Sequence, residues 1–447
     1  MVTPVSVRVR TYQVGFGDCF LITVGYRSPL ADGRRERHLL VDFGAKVLAK
    51  GGPTIADVAE KIAEHSGGQL DVVVVTHRHQ DHVRGFGDKK AQKHLDALAP
   101  SMIIRPWTDM PEPARAGPDT GLGPDSRGFL GLLDALSEHS RAVDDQFALD
   151  QRVLAERARA LAQLGISNVD ALAMLDVWVP AERTRWVRAG DVVDIAQIVP
   201  GVRLEALGPP TLEQVPGMRS YASSSAEYWL GLTGADSIRP QLMAPRREDA
   251  LLEAKETVAQ PGGLGRPSWL LDRLHERGPR QVLDIVEGFD DVLNNTSLVL
   301  LLTVGRRTLL LTGDAQVENW SHPLDRAYGA NGHPKDRSLR GRLANVDLYK
   351  VGHHGSRNAT PRRLVDLWRQ QRRSGHPLCS ILSTRDGVYG STAEGRVPKP
   401  DLVDALRALG ELHTTEQLPK GVWWFDVEAP TKSRAEPFQY SPGPPQG

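Results

Sequence analysis

Short apolar runs typical of β-strands occur towards both ends of the chain. They cover residues 5–14, 19–24, 38–43 and 71–76, then 183–195 and 202–210, and finally 297–304, 307–314, 346–352 and 379–384. Apolar residues recur at helical spacing over 54–65 and 361–373. Strands and helices in both halves predict an α/β layered core, and the nearly unbroken apolar character of the strands predicts sheets that are covered on both faces.

Two longer segments interrupt this pattern. Residues 113–180 begin with a Pro- and Gly-rich stretch and continue as a helical pattern, whereas residues 211–288 are polar and rich in Pro and Gly. Because loops of this length are uncommon inside a compact domain, we interpret both segments as insertions that cap or flank a site. The sequence predicts one domain over residues 1–428 and a flexible C-terminal tail over 429–447.

The composition narrows the class of protein. The chain has 447 residues, of which 40% are hydrophobic and 25% charged, and it has no apolar run of membrane-spanning length. Its first residues alternate like a strand rather than following the plan of a signal peptide, which predicts a cytoplasmic protein without a membrane partner. Lys plus Arg equals Asp plus Glu at 55 each, so any attraction to nucleic acid must be local. With two cysteines, Cys19 and Cys379, neither a disulfide framework nor a thiolate zinc site is available.

Three histidines and an aspartate occur within THRHQDH at 76–82, directly after an apolar run. Buried imidazoles need partners for their ring nitrogens, and a metal ion supplies one. His77 and His79 alternate and could point the same way, whereas Asp81 and His82 begin the next turn and can reach a second position. Two cations that share nitrogen and carboxylate ligands are the simplest arrangement that uses all four residues.

Two later strand ends carry side chains of the same kind. The run LLLTGD ends in Asp314, and YKVGHHGS contains His353 and His354. Each group follows an apolar run and lies beside glycine, as expected for ligands on tight loops at one edge of a sheet. The three segments are therefore predicted to converge.

In this combination the motifs resemble the metallo-β-lactamase fold, whose HxHxDH signature matches residues 77–82 and whose bridging-aspartate motif matches TGD at 312–314. The likeness is closer to the hydrolase domain of ComEC-type DNA-uptake proteins. The segments QVGFGD, LLVDFG, the histidine motif, NNTSLVLLL, LLLTGD and LYKVGHHGS occur in that family's order. The resemblance covers most of the chain apart from the two insertions and the tail.

This resemblance implies an αββα sandwich with two divalent cations, Zn²⁺ or Mn²⁺, at one edge of the sheets. The implied ligands are His77 and His79 at the first cation, Asp81, His82 and His354 at the second, and Asp314 as the bridge. The sequence does not separate the two histidines of the pair, although we favour His354 as the ligand. Bound cations of this kind activate water for hydrolysis.

The resemblance also suggests roles for residues around the ligands. Asp81 and His353 are the expected catalytic residues, with His353 touching the substrate and protonating the leaving oxygen. Asp42 is expected to orient a ligand histidine, and Asp18 to play a similar structural part.

The chain departs from the broader fold at the first metal position. Most members have another histidine just before the strand that leads to TGD, whereas this chain has Asn294 and Asn295 there. An amide oxygen is a weak zinc ligand. The first site is thus expected to be under-coordinated, to prefer manganese, or to recruit a distant histidine such as His139, since the nearest upstream one, His275, lies in an insertion.

Arginines indicate the class of substrate. Arg357, Arg362 and Arg363 follow the histidine pair closely, and Thr360 with Pro361 predicts a helix start beside the metals. The helix N-terminus and these guanidinium groups suit a phosphate backbone, and Arg385 could extend the patch. DNA or RNA is therefore the expected partner and substrate.

Three functions stay open on this sequence. The first is a stand-alone cytosolic nuclease or phosphodiesterase. The second is a small-molecule hydrolase of the same fold, acting on a phosphodiester head group or a lactone, with the insertions as a lid. The third is an effector module that recruits protein partners through its insertions.

Overall fold

The computed structural model describes residues 2–115, 120–131, 133–134, 168–216, 293–329, 334–371, 377–385, 387–388 and 396–446. Within these ranges the chain forms two β-sheets and nine α-helices, which confirms the mixed α/β class. Residues 135–167 and 217–292, which include nearly half of the first predicted insertion and most of the second, lie outside the described residues, and so do His139 and His275.

The strands of both sheets are numbered in chain order. They are β1 (Pro4–Tyr12), β2 (Cys19–Tyr26), β3 (Glu36–Phe43), β4 (Val72–Val74), β5 (Met102–Pro106), β6 (Thr184–Val187), β7 (Val192–Val193), β8 (Val202–Gly208), β9 (Val299–Val304), β10 (Arg307–Leu311), β11 (Leu348–Lys350), β12 (Leu378–Leu382), β13 (Gly410–Thr414), β14 (Trp424–Pro430) and β15 (Gln439–Pro442). The first sheet has the order β15-β14-β1-β2-β3-β4-β5-β6, and the second has the order β13-β12-β11-β10-β9-β8-β7. Strands β3 to β6 are parallel to one another, as are β10 to β13.

The helices lie mostly between consecutive strands. They are α1 (Ile55–His65), α2 (Gln80–Gly87), α3 (Lys89–Leu95), α4 (Glu112–Arg115), α5 (Val169–Trp178), α6 (Val317–Tyr328), α7 (Arg337–Ala344), α8 (Arg362–Gln371) and α9 (Pro400–Arg407). The helix predicted over 54–65 begins with a capping box between Thr54 and Asp57. Among the described residues, no helix combines the length and the apolar character needed to cross a membrane.

Neighbouring residues of a strand point to opposite faces of its sheet and therefore pack into different hydrophobic clusters. Phe20 and Ile22 of β2 share a buried cluster with Leu300 and Leu302 of β9, so one face of each sheet contributes to a common core. Leu21, between Phe20 and Ile22, belongs to a second cluster that includes α1, and the opposite face of β9 packs with α6, α7 and α8. Both faces of the sheets are covered, as the apolar strands predict.

The C-terminal segment differs from the prediction of a flexible tail over 429–447. Residues Gln439–Pro442 form β15, which pairs antiparallel with β14 at the edge of the first sheet. Phe438 is buried beneath the guanidinium of Arg307, which lies 5.5 Å from the ring centroid. The Pro-rich composition was misleading because an edge strand tolerates proline and because Phe438 and Tyr440, which stacks on His413, attach the segment to the fold.

A candidate metal centre at the ends of the parallel strands

The chain brings polar side chains together where parallel strands of both sheets end. The histidine motif follows β4, Asp314 follows β10, and the histidine pair follows β11. His79 is the N-cap residue of α2, so Asp81 and His82 lie in the first turn of that helix. The carboxyl ends of parallel strands are a common location for sites in α/β proteins, because the loops there converge.

Four of the predicted ligands form one compact group. Ligand atoms of Asp81, His82, Asp314 and His354 all lie within 4.8 Å of one another. His82 Nε2 is 3.2 Å from Asp314 Oδ2, and His354 Nε2 is 3.2 Å from Asp81 Oδ2 and 3.7 Å from Asp314 Oδ2. Burial alone would lower the pKa of His82, but the carboxylates of Asp314 and Asp42 raise it well above its usual value. The group thus attracts positive charge.

Asp42 fixes the orientation of His82. Its carboxylate accepts the backbone N–H of Thr76 at 2.7 Å and the Thr76 hydroxyl at 2.7 Å, and it lies 2.8 Å from His82 Nδ1. With Nδ1 directed to a carboxylate, Nε2 is the nitrogen left to face the cluster. Asp42 therefore holds the His82 ring with Nε2 directed to the compact group.

The two histidines of the pair occupy different environments. His354 is 1% exposed, and its Nδ1 lies 2.9 Å from the carbonyl oxygen of Ser383, which directs Nε2 to the cluster. The side chain of His353 is 26% exposed, and its Nε2 lies 4.0 Å from Asp314 Oδ2. Burial lowers the pKa of His353 to about 4. His354 is thus within the compact group, whereas His353 borders both the group and solvent.

His77 and His79 lie next to the compact group. Their ring centroids are 4.6 Å apart, and the His77 ring is 4.1 Å from that of His82. Burial holds the pKa of His77 well below its usual range and lowers that of His79 to about 4, so both imidazoles are neutral, as metal ligands must be. The buried Nε2 atom of His77 has no hydrogen-bond partner among the described residues.

A buried lysine accompanies these carboxylates. Lys350 is 3% exposed, its Nζ contacts Asp18 Oδ2, and it donates to the carbonyl of Gly313 at 3.0 Å. Burial would lower the pKa of Lys350, but Asp18 and Asp314 raise it. Sequence analysis missed this residue, although a charged side chain that ends a buried, otherwise apolar strand is a signal that could have identified it.

Several backbone positions at the centre are strained. Asp42, His353 and His354 have φ values of 54°, 43° and 51°, in the left-handed region that residues with a Cβ rarely adopt. Gly313 has φ 43°, and a Cβ there would lie 2.7 Å from the Thr76 Cβ atom. Strain of this kind persists where the surrounding structure enforces it and is concentrated at functional sites.

The predicted arginine patch is only partly assembled. Arg363 lies 3.6 Å from Asp325 and its guanidinium is 5.6 Å from the ring centroid of Tyr328, so it is engaged with α6. Arg385 donates to the carbonyl oxygen of Leu48. Arg357 is half-buried three residues after His354, and Arg362 is exposed at the start of α8.

The residues present fit divalent cations. The carboxylates of Asp18, Asp42, Asp81 and Asp314 are buried with a single ammonium, that of Lys350, so the group attracts a further cation. Two imidazole nitrogens and two carboxylate oxygens form a donor set that suits zinc, manganese or iron. The structure therefore supports a metal cofactor.

Comparison with known proteins adds little to this picture. No protein-family model matches the chain, and no curated protein matches it. Among solved structures, the chain is similar to a crystal structure from Parabacteroides distasonis ATCC 8503 described as a "Putative metal-dependent hydrolase". The identity is 11%, the match covers 93% of this chain and 100% of that chain, and the TM-score is 0.31, which is too low to establish a shared fold.

Proposed function

We propose that this chain is a metal-dependent hydrolase, and more narrowly a nuclease or phosphodiesterase. The observation that carries the proposal is the compact group of Asp81, His82, Asp314 and His354, whose ligand atoms lie within 4.8 Å of one another although they come from three separate segments. A purely structural role does not account for this many buried ionisable groups at a set of strand ends.

The proposal includes the fold. The two sheets share one apolar core, and helices pack on their other faces, which supports an αββα sandwich. We propose that this is the metallo-β-lactamase sandwich, on the basis of these layers and the order of the sequence motifs. In that arrangement His77, His79 and Asp314 would hold the first cation, and Asp81, His82, Asp314 and His354 would hold the second.

Cations bound here would supply Lewis-acid chemistry, which activates water as a nucleophile and stabilises negative charge on an attacked group. The chain contributes orientation and exclusion of water. Asp42 holds His82 by its Nδ1 atom, and the carbonyl of Ser383 holds His354 by its Nδ1 atom. His353 is half-buried beside Asp314, and its pKa of about 4 leaves the imidazole neutral near pH 7. It would have to take up a proton, which an anionic substrate favours, before it could hand one to a leaving oxygen.

Cationic groups near the centre support a phosphodiester substrate. Arg357 follows His354 by three residues, and Arg362 begins a ten-residue helix whose first amides suit an anion. Burial is the main cause of the lowered pKa of His79. The charge of the Lys46 ammonium lowers this pKa further, so the charge of Lys46 acts on the centre. A phosphate group would meet positive charge on this side.

One observation favours a second candidate, a hydrolase of small esters or lactones. The ring of Phe16 packs against that of His354 with centroids 4.1 Å apart, and Phe16 forms a β-bridge with Val47. Val47 and Leu48 are 39% and 42% exposed. An apolar surface next to a metal ligand suits a substrate with an apolar part.

The deciding experiment is a cleavage assay of purified protein with Mn²⁺, Mg²⁺ or Zn²⁺. Substrates are linear and circular DNA, RNA, bis-p-nitrophenyl phosphate and a lactone. Loss of cleavage in Asp314→Asn, with activity kept in His94→Ala on α3, would establish the role of the centre, and the substrate that is cut selects between the two candidates. Metal-loaded protein inert towards all of them would refute the hydrolase.

A further inference from the structure

The segment Asn294–Ser297 lies between the strand ends that carry the two halves of the metal centre. The N–H of Leu298 donates to the carbonyl oxygen of Thr76, the residue before His77, at 2.8 Å. On the other side, the N–H of Asp314 donates to the Ser297 hydroxyl at 3.2 Å. Within the segment, the N–H of Ser297 donates to the carbonyl of Asn294 at 3.1 Å, which closes a turn.

The two asparagines of this turn differ in how their side chains are used. Asn295 is bound to α6: its Nδ2 donates to Glu318 at 3.1 Å, and its Oδ1 accepts the N–H of Asn319 at 3.4 Å. Asn294 is 2% exposed, and its Oδ1 atom has no hydrogen-bond partner among the described residues. A buried amide oxygen without a partner destabilises the folded chain, and a bound cation would remove that cost.

The metal centre lacks donors on the same side. The compact group of Asp81, His82, Asp314 and His354 would supply the second cation with four protein ligands. The first cation would have His77, His79 and the shared Asp314, and the Nε2 atom of His77 is also without a hydrogen-bond partner among the described residues. Asn294 Oδ1 and His77 Nε2 are buried acceptors without partners on two segments that the Leu298–Thr76 hydrogen bond joins, so one cation between the segments would satisfy both.

We propose that Asn294 completes the first metal position with its amide oxygen, and that this oxygen shifts the preference of the position from Zn²⁺ towards Mn²⁺. The inference rests on the proposed function, because it requires a cation at His77 and His79. Carbonyl oxygens are harder donors than imidazole nitrogens and suit Mn²⁺ and Mg²⁺, whereas an imidazole suits Zn²⁺. Asn295 takes no part, because both ends of its amide are held by α6.

The test is metal binding rather than turnover. Metal-free protein is titrated with Mn²⁺ and with Zn²⁺ by calorimetry, and bound metal is counted by elemental analysis after dialysis. We expect two Mn²⁺ per wild-type chain and one in Asn294→Ala, with the remaining affinity unchanged. Asn294→His is expected to raise Zn²⁺ affinity at the weaker position by at least about tenfold.

The neighbouring asparagine provides the matched control. Asn295→Ala breaks the contacts with α6, so it lowers the melting temperature but keeps two Mn²⁺. If Asn294→Ala does not fold, Asn294→Ser also removes the amide oxygen, and its Mn²⁺ content is measured in the same way. Two Mn²⁺ bound to a folded Asn294 variant at unchanged affinity would overturn the inference while leaving the hydrolase intact. Wild-type protein that binds no metal would refute the proposed function itself.

Discussion

Lys350 and Asp18 form a fully buried ion pair beside the metal centre, with Lys350 Nζ also 3.9 Å from Asp314 Oδ1. Asp18 in turn lies 3.6 Å from His82 Nδ1 and 3.8 Å from His354 Nδ1. The ammonium thus compensates carboxylates that lie beside the predicted ligands. Its charge is needed because an excess of buried carboxylates destabilises the folded chain.

Removal of this ammonium should destabilise the protein. We expect Lys350→Met to lower the free energy of unfolding by about 3–5 kcal/mol, because Asp18 is left as an uncompensated buried charge. Urea denaturation of the metal-free protein measures the change. Lys61→Met is the matched control: that lysine makes a surface ion pair with Glu64, worth about 0.5 kcal/mol.

A double variant separates the loss of charge from the loss of packing. Asp18→Asn in the Lys350→Met background should restore part of the lost stability, since it removes the unpaired carboxylate. Equal stability of Lys350→Met and wild type would show that the ion pair contributes nothing, and an additive loss in the double variant would assign the effect to packing.

Asp42 should act on the metal through His82. Asp42→Asn replaces the carboxylate that faces His82 Nδ1 by a neutral amide, and we expect the metal affinity of the second position to fall by about 10–100-fold. Calorimetric titration of the metal-free variant gives the affinity. Asp57→Asn, in the exposed capping box of α1, is the control with unaltered affinity. An Asp42 variant that binds metal like wild type would contradict the role of this carboxylate.

Metal removal should lower stability. The carboxylates of Asp81 and Asp314 repel each other when no cation lies between them, so a chelator is expected to lower the melting temperature and Mn²⁺ or Zn²⁺ to restore it. At free metal a hundredfold above the dissociation constant, one cation stabilises the folded state by about 2.7 kcal/mol. Asp314→Asn should show a smaller response. A wild-type melting temperature that changes with neither chelator nor added metal would argue against a bound cation.

The sequence predicted the strands and the ligand segments because both are local patterns. The apolar run before His77 ends at β4, and that before Asp314 ends at β10, so each side chain could be placed at a strand end without knowledge of the other. Asp42 was predicted to orient a ligand histidine, and in the structure its carboxylate lies 2.8 Å from Nδ1 of His82.

The remaining features depend on contacts between distant segments. Asn294 and Asn295 are indistinguishable in sequence, and only the position of Glu318 on α6 separates them. The sequence shows the charge of Arg363, but it does not show the ion pair of Arg363 with Asp325. Similarly, the segment around Phe438 looked like a tail because its pairing partner, β14, is recognised only in the folded sheet.

The two adjacent histidines give the sharpest test of roles at the centre. His354 is buried with its Nε2 directed to Asp81, so His354→Ala should lose bound metal and, with it, turnover. His353 is partly exposed and 4.0 Å from Asp314, so His353→Ala should keep its metal and lower kcat with little change in metal affinity. Elemental analysis of dialysed variants and steady-state kinetics on the substrate that the wild type cleaves make the comparison. Equal metal loss in both variants would make His353 a ligand as well, and full activity in His353→Ala would remove it from the proton transfer proposed above.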